Sequence, residues 1–361
     1  MFEVEIMYYI LSEPFFTASP WYRIIYNSLT DELSRKKLQF IHSGSIIQPT
    51  FQKEKSYAFL IGTNAEWLNK NIEDCINSDI HPIILSTQQN SQLKGIYSSV
   101  TSNLESSFEI VMKYLQSISK SRTALFGVNK LSLTNMTLLE KFKCYNCYTS
   151  DSIYYNDGSV SNCADMFIND IDKYDSVISV NDFSSVFLLK KLSETKKDIF
   201  VISFGGTNLA RKYYPWLATV SMGYENFGKA AVSLSEALKN NSAVDYMTYT
   251  VKCNFENINP SANFNVISED SRISGNAYDK KFYADSEMND MIRLENMLLN
   301  CDETDYKILN LLIRNYSYEY IAEKLFCALN TVKYRVKKMK ENCNCSSKNE
   351  MLAIFGNYCE I

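Results

Sequence analysis

An α/β region built on parallel sheets, followed by an all-α carboxyl-terminal unit, is the fold class this sequence predicts, and three observations predict it. Short apolar runs alternate with amphipathic stretches from the start of the chain to about residue 260, the pattern of strands joined by covering helices. Periodicity then lapses between Asn263 and Ser286, a polar stretch with S-E-D-S-R-I-S-G-N at its centre. Beyond it the apolar residues recur at helical spacing. At 361 residues the chain is too long for one ordinary domain, so two or three compact units are expected. The boundaries read from these shifts are an α/β region over 1–262, a linker over 263–286, a connecting helix over 287–300 and a compact helical unit over 301–361.

The candidate strands of the first region are Val4–Ile10, Lys37–His42, Tyr57–Ile61, Pro82–Ser86, Thr123–Val128, Ser176–Val180 and Phe200–Phe204. Between them lie candidate helices Ser19–Arg35, Ala65–Asn77, Leu104–Ser117, Cys163–Ile171, Ser184–Ser193 and Glu225–Lys239. Parallel sheets of this kind form clefts at the carboxyl ends of their strands. In the connecting helix, Met288, Met291, Leu294 and Leu298 make a packing stripe.

The apolar fraction of 46% suffices for real cores, and a formal charge of −4 gives the whole molecule no general attraction for polyanions or anionic membranes. Any polyanion site must therefore be local. Glu3 and Glu5 stand where a secretory signal would carry basic residues, and no apolar run approaches the roughly twenty residues of a membrane-spanning helix. A soluble cytoplasmic protein without a membrane partner is expected. Its ten cysteines then read as reduced thiols. Cys144 and Cys147 form a C-x-x-C and Cys343 lies close to Cys345, but the two histidines, His42 and His81, lie far from both pairs, so no metal or other cofactor is expected.

In the last sixty residues Asp302 and Asp305 open a helix as a capping box with a short acid in its third position. Ile308, Leu309, Leu312 and Ile313 share a face of that helix, and Asn315 stands where a helix-ending left-handed residue is wanted. A short helix, Ser317–Phe326, buries Ile321, Ala322 and Leu325. After a tight connection, Val332, Val336, Met339 and Cys343 recur on the core side of a third helix and turn Lys333, Tyr334, Lys337 and Lys338 outward. Five basic residues and no acids lie between Thr331 and Lys340, a phosphate-binding footprint in an otherwise acidic chain. The bland alternative is a solvated helix face.

Residues 301–358 resemble the LuxR/GerE-type helix-turn-helix. The family's I-A-x-x-L-x-I-S-x-x-T-V-K appears as I-A-E-K-L-F-C-A-L-N-T-V-K from Ile321 to Lys333. Cys327 replaces an aliphatic residue, and Ala328 replaces the serine that would cap the recognition helix, a loss of about 1 kcal/mol that Asn330 partly relieves. The resemblance implies that Thr331, Val332 and Lys333 lie at the groove-contacting end of that helix, with Lys337 and Lys338 along the backbone. Asn330, Thr331, Lys333, Tyr334, Lys337 and Lys338 are the candidate contacts to double-stranded DNA, read by a homodimer on paired half-sites.

The first 260 residues resemble the two-lobed type I periplasmic-binding-protein fold of LacI-type effector domains. S-E-P-F-F at Ser12–Phe16, V-N-D-F-S-S at Val180–Ser185, F-G-G-T-N-L-A-R-K-Y at Phe204–Tyr213 and the stretch Pro215–Ala231 carry the likeness. It implies two lobes closing on a small molecule, with three hinge crossings near Ser102, Ser221 and Val244. Phe15, Phe16, Asn181, Asp182 and Phe183 are the ligand candidates, because aromatic faces and paired polar groups hold small polar molecules. Phe15 and Phe16 serve equally as lobe packing, and Asp182 equally as a helix cap. Gly205 stands where sugar-binding relatives carry an aspartate and Leu138 where they often carry an arginine, which argues against a sugar.

The two resemblances together imply a one-component transcription regulator with a ligand-sensing domain. The alternatives are a receptor domain that has lost its ligand and serves as a dimerisation scaffold, or an enzyme on the α/β region. Walker, G-x-G-x-x-G, G-x-S-x-G and H-E-x-x-H sequences are all missing, which argues against the enzyme. A phosphorylated receiver would occupy only about half of the first region and would show an acidic pair near Leu11–Pro14, which is not there.

Overall fold

The computed structural model describes residues 7–43, 56–87, 91–145, 148–195, 197–258 and 280–359. The first lobe begins with β1 (Tyr8–Ser12), α1 (Pro20–Arg35), β2 (Phe40–Ser43), β3 (Ser56–Ile61), α2 (Ala65–Asn77), β4 (Ile80–Leu85) and β5 (Ser98–Ser102). The second comprises α3 (Leu104–Ser117), β6 (Thr123–Val128), α4 (Leu133–Phe142), β7 (Ile153–Tyr155), α5 (Val160–Asp170), β8 (Ser176–Ser179), α6 (Asp182–Thr195), β9 (Phe200–Gly205), α7 (Asn208–Tyr213) and β10 (Ala218–Ser221). The chain returns to the first lobe for α8 (Phe227–Asn240) and β11 (Thr248–Val251), then crosses again to β12 (Asn254–Glu256). Among the described residues each lobe holds a six-stranded sheet, ordered β11-β5-β4-β3-β1-β2 and β12-β10-β9-β8-β6-β7. All neighbours are parallel except β12, which runs antiparallel to β10.

Central strands buried on both faces read as continuous apolar runs. β3 (S-Y-A-F-L-I) and β6 (T-A-L-F-G-V) are buried along their whole length, which is why hydropathy finds them. β5 is S-S-V-T-S, equally buried, and hydropathy misses it. Its hydroxyls are satisfied across the sheet: Ser98 Oγ bonds His81 Nε2 at 2.9 Å, Ser99 and Thr101 meet Thr248 and Thr250 of β11, and Ser102 Oγ donates to Met222 O at 2.7 Å. Buried hydroxyls with partners cost little, so a polar strand is stable at this depth. β2 starts later than expected because Lys37, at φ 57°, ends α1 in the left-handed region and the chain needs two more residues to extend.

The three crossings fall at 102–104, 221–227 and 251–254. The first two agree with the sequence reading. The third does not, since Val244 precedes β11 on the same lobe and the crossing follows Val251.

Two further helices, α9 (Lys280–Ala284) and α10 (Ser286–Leu298), lead to α11 (Glu303–Ile313), α12 (Tyr318–Lys324), α13 (Leu329–Asn342) and α14 (Lys348–Tyr358). The last turn of the expected linker is thus helical, and its earlier part, 263–279, lies outside the described residues. α10 is no free connector. Met288, Met291, Leu294 and Met297 are buried in one apolar core that joins lobe two to the carboxyl-terminal helices. Glu295, fully buried, accepts the N–H groups of Asn208 and Leu209 at 2.8 Å, closing the amino-terminal end of α7. Tyr214 OH donates to Tyr358 O at 2.8 Å, and the Tyr213 and Phe355 rings meet edge to face at 5.3 Å. Asn296 Nδ2 reaches Ala18 O of the first lobe at 3.0 Å.

The expected capping box forms: Asp302 accepts from Thr304 N and Asp305 N at 2.8 and 3.0 Å, and Asp305 accepts the Asp302 N–H at 3.1 Å. Asn315 takes the left-handed conformation at φ 61°. No helix among the described residues is long and apolar enough to cross a membrane.

Candidate functional site

Between the lobes the strand carboxyl ends converge on a cavity of about 150 Å³. The first lobe contributes Phe16, Trp21, Thr63, Ser86 and Thr87, the second Asn129, the start of α4 from Ser132 to Asn135, Val180, Asn181, Phe204 and Gly205, and the second crossing Met222 and Tyr224. Phe282 and Tyr283 of α9 complete it. Trp21 of α1 packs on Phe183 of α6 with centroids 5.6 Å apart, an apolar bridge between the lobes beside the cavity.

No charged side chain lines it among the described residues. The two nearby acids are committed elsewhere. Glu13 Oε2 accepts the N–H groups of Thr63 and Asn64 at 2.7 and 3.0 Å. Asp182 is buried and accepts from Ser203 Oγ at 2.6 Å, Thr207 N at 2.7 Å, Thr207 Oγ1 at 2.8 Å and Thr219 Oγ1 at 3.0 Å. Four donors on one carboxyl group satisfy its oxygens at that depth. They also explain Gly205: a Cβ there would lie 2.5 Å from Asp182 Cγ, so the position accepts no side chain.

Polar groups facing the cavity are amides and hydroxyls. Asn135 Oδ1 accepts Asn129 N at 3.0 Å and Asn181 Oδ1 accepts Ser184 N at 2.8 Å, which fixes each amide so that its NH₂ is the group left over. Thr87 Oγ1 and Tyr224 OH pair at 2.8 Å, and burial pushes the Tyr224 phenol well above its ordinary value, so it stays neutral. The site is suited to an uncharged molecule with acceptor oxygens and an apolar face.

Of the sequence candidates, Phe16 and Asn181 line this cavity. Phe15 does not; it is 63% exposed, because Phe16 begins a short turn of helix that carries only its own ring inward. Asp182 holds the lobe together instead of facing a ligand, and Phe183 is wholly buried against Trp21. Leu138 lies in the apolar core, away from the cavity. Sequence reasoning missed Asn129, Asn135 and Tyr224. Asn129 and Asn135 flank a serine-capped helix start after β6, a signal available in N-K-L-S-L-T-N.

A second candidate surface lies on α13. Val332, Val336 and Met339 are buried, while Asn330, Thr331, Lys333, Tyr334, Lys337 and Lys338 are exposed, Tyr334 by 65%. Arg335 is the exception among the basic residues. Its guanidinium pairs with Asp302 and Asp305 at 2.9 Å and ties α13 to the α11 capping box. Among the described residues Lys337 pairs with Glu341 alone, at 3.9 Å. Ala328 precedes α13 with no side-chain cap, as its identity requires. Cys343 and Cys345 are buried beneath this helix, Cys345 Sγ receiving Arg293 Nη2 at 3.2 Å; Cys144 is an exposed free thiol, and Cys147 lies outside the described residues.

No family model matches the sequence, and no curated protein matches it. Solved structures do. A LacI family transcriptional regulator from Enterococcus faecium with bound ribose superposes with a TM-score of 0.54 at 14% identity, over 72% of this chain and 99% of that one. The fold of the two lobes is that of LacI-family regulators. Transcription regulator CcpA of Lactococcus lactis matches at a TM-score of 0.55 and 14% identity over 71% of this chain and 99% of its own. CcpA from Weissella paramesenteroides with bound sucrose matches at 0.52 and 16% over 72% and 100%. The LacI-type likeness belongs to the amino-terminal part and does not reach α11–α14.

Proposed function

We propose that this protein is a one-component, DNA-binding transcription regulator that senses a small uncharged polar molecule between its lobes. The observation that carries the DNA half is the exposed α13 face: six polar and basic side chains stand in solvent on a helix whose opposite side is buried. The I-A-E-K-L-F-C-A-L-N-T-V-K pattern of α12 and α13 supports a LuxR/GerE-type helix-turn-helix over residues 301–361. Two copies would present paired recognition helices to half-sites, since one module alone buries too little surface for useful selectivity.

The ligand half rests on the cavity at the strand ends, where folds of this kind bind small molecules. Ribose and sucrose occupy two of the similar structures. Here the missing charged anchors and fixed amide donors favour a neutral ligand of comparable polarity, which in place would also oppose the scaffold reading. Two experiments test the proposal. Selection from a random DNA pool should enrich a paired-site duplex. Thermal scans against a library of neutral metabolites should raise the melting temperature for at least one of them by mass action. No enrichment refutes the DNA-binding half, and no shift across the library refutes the sensor half.

A further inference from the structure

The inter-lobe cavity has a wall that neither lobe supplies. Phe282 and Tyr283 line it, and both belong to α9, which precedes the carboxyl-terminal helices. Phe282 is buried, and about 150 Å³ remains open beside the two rings, so α9 walls the space without filling it. The chain passes from α9 straight into α10 through Asp285. That carboxylate accepts the Val160 N–H of α5 at 2.7 Å with one oxygen and caps α10 through Glu287 N at 2.9 Å and Met288 N at 3.2 Å with the other. Midway along α10, Arg293 donates to Cys343 O at 3.1 Å and Asn344 O at 2.9 Å, at the end of α13. The physical path from cavity to basic face therefore consists of two successive helices and no lobe hinge.

We propose that Phe282 and Tyr283 are ligand-contacting residues through which the carboxyl-terminal unit reads the cleft directly. An occupant of the cavity touches the helix that leads to α13, so occupancy of the cleft and occupancy of the basic face bias each other through α9 and α10, in addition to any closure of the lobes. The inference rests on the proposed DNA-binding, ligand-sensing function. Coupling between two sites is reciprocal, so it is readable from the DNA side without knowing the ligand. It also gives α9 a second consequence: the two rings limit how large a ligand the cavity admits.

The test uses the full chain and the duplex it selects from a random pool. Hydrogen exchange is measured with and without saturating duplex, on wild type and on Phe282→Ala and Tyr283→Ala. Phe282→Leu, which keeps apolar burial, replaces the alanine variant if circular dichroism shows that variant unfolded. In wild type, duplex should change exchange at Leu131–Asn135 and Asn181–Ser185 by about fivefold or more, the lower end of ordinary coupling. In the variants that change should disappear while the duplex stays bound. A merely structural role would alter exchange in the free protein and leave the duplex-induced difference intact. Bound duplex with no change in the wild-type cleft, or the same change in the variants, overturns the inference and leaves the DNA-binding reading standing. Failure to bind any duplex removes the functional reading itself, and the inference with it.

Discussion

Replacing Asp285 by alanine removes one carboxylate from the meeting point of three helices, and the structure sets the size of the effect. The side chain is buried and accepts N–H groups from Val160, Glu287 and Met288. Losing an N-cap costs about 1 kcal/mol. Leaving the Val160 N–H without a partner adds a desolvation penalty of about 1–3 kcal/mol, because Val160 is fully buried at the start of α5. Asp285→Ala should therefore destabilise the chain by about 2–4 kcal/mol, and Asp285→Asn, which keeps one acceptor oxygen, by roughly half of that. Urea unfolding at neutral pH measures the difference, read through the shift in midpoint with the slope unchanged. Hydrogen exchange should place the weakening at the first turns of α5 and α10. If Asp285→Ala unfolds within about 0.5 kcal/mol of wild type, the range of ordinary surface substitutions, the junction does not depend on this carboxylate.

Gly205→Asp should fail to create an anchoring acid, because its Cβ would meet Asp182 at 2.5 Å; differential scanning should show a lower melting temperature, and a wild-type value would contradict the crowding. Arg335→Ala should cost about 1 kcal/mol of stability by freeing Asp302 and Asp305, yet leave the salt dependence of DNA binding within error of wild type, since its charge is already paired. Burial pushes the Glu295 carboxyl up to about 8 despite its two N–H partners, with Asp182 raising it further and Arg211 opposing. The folded chain thus prefers the neutral acid, and the stability it contributes is full below the ordinary carboxyl value of 4.5 and lost as pH rises towards about 8. Glu295→Gln should remove that part of the pH dependence in urea unfolding, and an unchanged profile would show that Glu295 is ionised at its seat.

Much of the architecture was legible because its causes are local. Largely apolar runs marked β3, β6 and β9, amphipathic spacing marked α1, α2 and α3, and Asp302, Asp305 and Asn315 marked the ends of α11. What was not legible depends on partners distant in sequence. Nothing in S-S-V-T-S shows a central strand until His81, Thr248 and Met222 are placed beside its hydroxyls. Asp182 reads equally as ligand contact and as cap until Ser203, Thr207 and Thr219 converge on it. Phe282 and Tyr283 sit in a stretch whose polarity reads as a linker, and only the fold brings these two rings to strand ends more than seventy residues earlier. On α13 the helical period alone separates Lys333 and Lys337 from the buried stripe, but the inward turn of Arg335 depends on acids thirty residues away.

The central claim is that the free face of α13 holds DNA, and the salt dependence of binding tests it most directly. Affinities of wild type, Lys333→Ala and Lys337→Ala are measured on the selected duplex and on a random one across a salt series, with circular dichroism to confirm folding. Removing one lysine–phosphate pair should reduce the slope of log K against log salt by about 0.9, hence by roughly 1.8 when both copies of a dimer are altered. Lys337→Ala should show that change on both duplexes. Lys333→Ala, nearer the start of the helix, should combine a smaller slope change with a weakening of about 1–3 kcal/mol confined to the selected duplex. If both folded variants keep wild-type affinity and slope on both duplexes, this face of α13 is not the DNA surface.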